Sequence, residues 1–94
     1  MKEATIVRQI MDYLKRSEFW VMKVHGSNYQ RAGVPDLLAI KNGRAYWFEV
    51  KTPDGKVSRL QEITIEDLRR FGSVADVVRS VEDVQEVLRC SDIE

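Results

Sequence analysis

Gly33-Val34-Pro35-Asp36-Leu37-Leu38-Ala39-Ile40-Lys41-Asn42-Gly43-Arg44-Ala45-Tyr46-Trp47-Phe48-Glu49-Val50-Lys51 is the stretch that decides the fold. Two runs rich in apolar and aromatic residues flank Asn42-Gly43. Both central residues of a type I′ turn need positive φ, which Asn and Gly tolerate, so the pattern predicts a hairpin. Its strands are expected at about 35–41 and 44–51. A two-residue turn fixes the register, so partners sum to 85: Lys41 faces Arg44, Leu38 faces Trp47 and Asp36 faces Glu49. Two acids are therefore expected side by side on one face. Alternation along the strand places Lys51 on the face of Glu49.

That juxtaposition has a chemical meaning. Like charges directly opposite in a sheet are destabilising, so a fold that keeps them should offset them with a cation. Two carboxylates can share a hard divalent ion such as Mg²⁺, which takes oxygen ligands at about 2.0–2.1 Å. Lys51 is a compact point charge, suited to orienting a water or a phosphate oxygen beside that ion. Such a set can hydrolyse a phosphodiester. Pro35 fits the first residue of a strand, since it fixes φ and donates no ladder bond.

Working outward, Ile6, Val7, Ile10, Met11 and Leu14 recur as on one helix face. Glu3 lies four before Val7 and seven before Ile10, so it is expected on that same buried face. Residues 20–25, Trp-Val-Met-Lys-Val-His, read as a strand, and 26–33 as a polar loop holding Tyr29 and Arg31. Ser58-Arg59-Leu60-Gln61 has the form of a capping box opening a helix through Phe71, with Gly72 just past its end. Val74 to Val78 reads as a strand and Ser80 opens a last helix. The order is α-β-β-β-α-β-α, which makes an α/β domain. Its mixed central sheet is led by an antiparallel hairpin and flanked by helices.

With 94 residues the chain fits a single domain covering 1–94. Apolar residues at 44% and charged residues at 32% exclude a disordered tail or a fibrous repeat. One cysteine, Cys90, excludes a disulfide framework and a zinc–cysteine cluster. No apolar run is long enough to span a membrane, and the start does not read as a signal peptide, so a soluble cytoplasmic protein is expected. The net charge is zero, which argues against tight non-specific DNA binding. Its distribution is uneven. Residues 1–47 hold 8 Lys/Arg against 4 Asp/Glu and residues 48–94 hold 7 against 11, so the halves are about +4 and −4.

Gly33-Val34-Pro35-Asp36 followed by Glu49-Val50-Lys51 resembles the Pro-Asp…(Asp/Glu)-x-Lys core of the PD-(D/E)XK nucleases, the restriction-endonuclease-like superfamily. Glu3, the Gly-x-Pro-Asp spelling and Ser58-Arg59-Leu60-Gln61 resemble its virus-type replication-repair nuclease (VRR-NUC) branch. The resemblance implies a restriction-endonuclease-like core. It also implies a Mg²⁺- or Mn²⁺-dependent deoxyribonuclease that cuts branched or four-way-junction DNA as a homodimer and leaves 5′-phosphate ends. It implies Asp36, Glu49 and the Val50 carbonyl as metal ligands, with Glu3 reaching the metal directly or through water. Lys51 would position or activate the attacking water, and Gln61 would stand near the site.

Quieter readings stand beside these. Glu3 also suits a helix N-terminus through the dipole. Gln61 also suits the cap alone. Tyr29, Arg31, Lys56 and Arg59 are candidate phosphate contacts, yet loops and helix starts are commonly charged. The rival function is a non-catalytic nucleic-acid-binding or assembly module retaining the nuclease fold. Zero net charge favours it, and the opposed acids disfavour it.

Overall fold

The computed structural model describes residues 1–24 and 31–91. The elements are α1 (Glu3–Arg16), β1 (Trp20–Lys23), β2 (Leu37–Lys41), β3 (Arg44–Val50), α2 (Arg59–Arg70), β4 (Val74–Val78) and α3 (Val81–Ser91). Their order is the one the sequence predicts. They form one mixed sheet in the order β1-β2-β3-β4, antiparallel except for the β3–β4 pair, which is parallel.

The hairpin register is the expected one, from Lys41↔Arg44 to Leu37↔Phe48. Asn42 and Gly43 carry φ of 52° and 76°, the left-handed values a type I′ turn requires. Three expected strands are shorter than the pattern suggested, β3 only by its last residue, Lys51. β1 ends at Lys23, and β2 begins at Leu37 instead of residue 35. The cause at the second place is chemical. The N–H of Val50 donates to the side-chain Oδ2 of Asp36 at 2.8 Å, so a carboxylate stands where a ladder carbonyl would be.

One sheet face presents Leu37, Ala39, Tyr46, Phe48, Val50 and Val78 to Ile6, Val7, Ile10 and Leu14 of α1 and to Val84 of α3. These residues are the core. Alternation sends Leu38, Ile40, Trp47, Glu49, Ala75 and Val77 to the second face. α2 packs against β4, where its Ile65 and the sheet's Ala75 are buried outside the main core. The β1 side of that face is open: Trp20 is 56% exposed, and its cross-strand partner Ile40 is exposed too. The capping box forms reciprocally, Gln61 N–H to Ser58 Oγ at 3.1 Å and Ser58 N–H to Gln61 Oε1 at 2.9 Å. Among the described residues no helix is long and apolar enough to cross a membrane.

Candidate active site

The far end of the hairpin from its turn gathers Asp36, Glu49 and Lys51. Asp36 is fixed twice by backbone: Val50 N–H holds its carboxylate, and its own carbonyl accepts from Val24 N–H at 2.7 Å. Gly33 lets the preceding loop come in close. Its φ is +85°, and a Cβ there would lie 2.8 Å from both Leu60 Cγ and Thr64 Oγ1 of α2. The loop that delivers Asp36 is thus seated on the first turns of α2.

Glu49 is 2% exposed, the one buried carboxylate among the described residues. Its Oε2 lies 3.8 Å from Lys51 Nζ, and its Oε1 is buried with no hydrogen-bond partner. Native proteins leave few buried polar atoms in that state, so each one needs an explanation. Burial first, and then the adjoining Asp36 carboxylate, push the Glu49 carboxyl up to about 8. Lys51 pulls it down and Glu3 pushes it slightly up, by charge alone. Without a further cation, this carboxyl is mostly protonated at neutral pH.

Other expected residues fall around this centre with different standing. Glu3 is exposed at the first turn of α1, not buried on its inner face. The helix begins at Glu3, and its buried residues start only at Ile6. Its charge still acts on Glu49, yet among the described residues no three His, Cys, Asp or Glu side chains form a metal-type cluster. Gln61 is half-buried and its amide oxygen is committed to the cap. Lys56 and Arg59 are exposed where the chain enters α2. Arg31 is exposed beside Thr64, Asp67, Leu68 and Phe71 of the same helix and its end. Tyr29, like His25, lies outside the described residues.

Two features of the site had no signal in the sequence. Lys51 N–H donates to the Val78 carbonyl at 3.0 Å, so β4 holds the lysine's backbone. Beyond it, Arg79 reaches the carbonyls of Thr52 and Gly55 at 2.6 and 2.7 Å. Both interactions depend on β4 lying parallel beside β3, which no local pattern announces.

Comparison with known proteins gives the chain a family and a fold. The sequence pattern of the family described as archaeal Holliday junction resolvase (Hjc) matches residues 2–82. A solved structure of a VRR_NUC domain superposes with a TM-score of 0.78 at 26% identity, covering 93% of this chain and 94% of that one. A VRR_NUC domain protein also gives 0.78, at 22% identity over 95% and 86% of the two chains. Among curated proteins no sequence matches. The chain belongs to the archaeal Holliday junction resolvase family and is a nuclease with the PD-(D/E)XK fold.

Proposed function

We propose that this nuclease is a divalent-metal-dependent endonuclease that hydrolyses phosphodiester bonds in branched DNA, four-way junctions above all, as a homodimer. The observation that carries the reading is the orphaned, buried Oε1 of Glu49 beside Asp36. A protein gains nothing in stability from a buried carboxyl oxygen without a partner, whereas a Mg²⁺ or Mn²⁺ shared with Asp36 would give it one. Asp36, Glu49 and the Val50 carbonyl would hold the ion, with Glu3 at the mouth. When bound, such an ion polarises the scissile phosphoryl group and makes water a better nucleophile.

The chain's own residues do the rest. The Asp36 carboxylate is oriented by the Val50 N–H, and its backbone is fixed by the Val24 N–H. Burial keeps Glu49 dry, which strengthens every charge interaction it makes. Lys51, half-buried and 3.8 Å from the same carboxylate, carries three N–H donors that are proposed to meet a phosphate oxygen or the attacking water. Arg31, Lys56, Arg59 and Tyr29 are proposed to meet the DNA backbone. Neutralising any one of the three cations should make the salt dependence of binding shallower by about 0.9 in log–log slope.

The homodimer follows from the substrate and from the surface. Paired cuts in a junction need two sites related by a two-fold axis. The open half of the second sheet face, with Trp20, Met22 and Ile40, is apolar and exposed, as are Leu60 and Ile63 of α2 and Phe71 just past its end. The deciding experiment is cleavage of matched duplex, flap and four-way-junction DNA with Mg²⁺, Mn²⁺ or chelator. Metal-dependent, paired nicks confined to the junction are expected. Binding without cleavage in either metal would favour the non-catalytic module.

A further inference from the structure

We propose that Arg79 is a positioning residue for Lys51, an assignment that rests on the nuclease reading above. β3 ends at Val50, and its ladder with β4 carries one bond further, from Lys51 N–H to the Val78 carbonyl. The chain then leaves the sheet. At such an open strand end the next backbone groups have no neighbour, and the side chain projecting there is free to drift. Arg79, the residue after β4, fills that gap with its side chain. Nη1 donates to the carbonyls of Thr52 at 2.6 Å and Gly55 at 2.7 Å, with a longer reach to Pro53 at 3.3 Å. The three carbonyls belong to one turn, closed by Gly55 N–H to the Thr52 carbonyl at 3.0 Å. Lys51 is therefore gripped by two consecutive residues, Val78 at its own N–H and Arg79 at the turn that follows it.

The clamp is itself anchored. Arg79 N–H donates to Asp83 Oδ2 at 2.9 Å, and Asp83 N–H donates to Ser80 Oγ at 3.1 Å, so the start of α3 fixes the backbone from which the guanidinium extends. A guanidinium suits the task because its donors are preorganised in one plane, whereas an ammonium is a single point on a flexible stem. The turn it holds runs on to the Ser58 cap, and thereby to the turns of α2 that seat the Asp36 loop. Displacement of a reacting group by about 1 Å can lower a rate about 10²-fold, so a clamp of this kind matters to chemistry even though it touches no substrate.

The test is a double-mutant cycle on single-turnover junction cleavage at saturating metal. Arg79→Ala should slow the wild-type enzyme about 10- to 100-fold, with junction affinity nearly unchanged. In a Lys51→Ala background the same change should slow the residual rate by less than about threefold, because the two residues act as one unit. Arg79→Lys should fall between. Equal losses in both backgrounds would overturn the assignment, since a general loss of structure does not depend on Lys51. Amide exchange in Arg79→Lys gives a reading without activity. Lys51 and Gly55 should exchange at least about tenfold faster while Phe48 stays protected; unchanged exchange at both would also overturn it. A wild type that cuts no DNA contradicts the nuclease reading instead, and the exchange measurement still decides the clamp.

Discussion

The two ends of one hairpin meet the same problem and answer it differently. At the turn end Lys41 faces Arg44, and at the other end Asp36 adjoins Glu49: like charges across one antiparallel pair. The cations are satisfied. Lys41 Nζ donates to the Ser17 carbonyl at 2.8 Å and sits over the Phe19 ring, while Arg44 Nη1 donates to the Ser91 carbonyl at 2.9 Å and lies over Tyr46. Both also stay partly in water. Of the two acids Glu49 is left under-satisfied: it is buried, with one oxygen unpartnered and its proton held well above the usual carboxylate range. At the turn each cation has its own acceptors, whereas at the other end Lys51 meets Glu49 Oε2 at 3.8 Å and leaves Oε1 without a partner. On the proposed function, the end left under-satisfied is the one that takes a ligand.

The largest effect should come from removing the charge beside the acids. Lys51→Ala should lower junction cleavage on the order of 10²–10³-fold, the typical loss for a positioned electrostatic group, while DNA and metal binding persist. Single-turnover rates alongside a binding assay in Ca²⁺ would show this. Unchanged cleavage would mean that the site end is as inert as the turn end.

Next comes stability against pH, measured in chelator. Glu49 has a folded pKa of about 8 against an ordinary 4.5, so the folded state binds the extra proton. Its contribution is full below the ordinary value and is lost as pH rises toward 8. Glu49→Gln removes that dependence, and its amide can donate to Asp36. At pH 8 the variant should be more stable than wild type by on the order of 3 kcal/mol, the gap closing toward pH 5. Lys41→Met should do the reverse, costing about 1 kcal/mol at every pH between roughly 5 and 9. Denaturant melts of both variants at pH 5 and 8 compare the two ends directly. A parallel pH response would dissolve the contrast.

The smallest effect sharpens the same comparison through glycine. Gly43 and Gly33 both have positive φ, but a Cβ on Gly43 meets nothing within 4 Å, whereas one on Gly33 collides with Leu60 and Thr64. Gly43→Ala should cost about 1 kcal/mol from backbone alone. Gly33→Ala should cost about 1–2 kcal/mol more, and should loosen Asp36 as well. Equal melting temperatures for the two variants would mean that the loop is not seated on α2.

Much of this was legible because the decisive signals are local. Asn42-Gly43 fixes a register within two residues, and Ser58 with Gln61 marks a helix start within four; both form as their sequences imply. What could not be read depends on distant neighbours. Asp36 leaves the ladder because Val50, fourteen positions away, donates to its side chain. Glu3 shares the periodicity of the buried face yet is exposed, since helical phase says which way a residue points and not how far along the helix burial extends. Arg79 follows an apolar strand like any solvated charge, and only the parallel β3–β4 pairing gives its guanidinium carbonyls to hold.

The central claim is that the Glu49 carboxyl is held strained for a divalent cation shared with Asp36. Carboxyl-carbon NMR titration of Glu49, with and without saturating Mg²⁺, tests it most directly. In chelator the resonance should titrate near pH 8. With Mg²⁺ the midpoint should fall by several units, because the ion competes with the proton for the same oxygens. An ordinary carboxylate titration in both conditions, or a midpoint indifferent to Mg²⁺, would contradict the account.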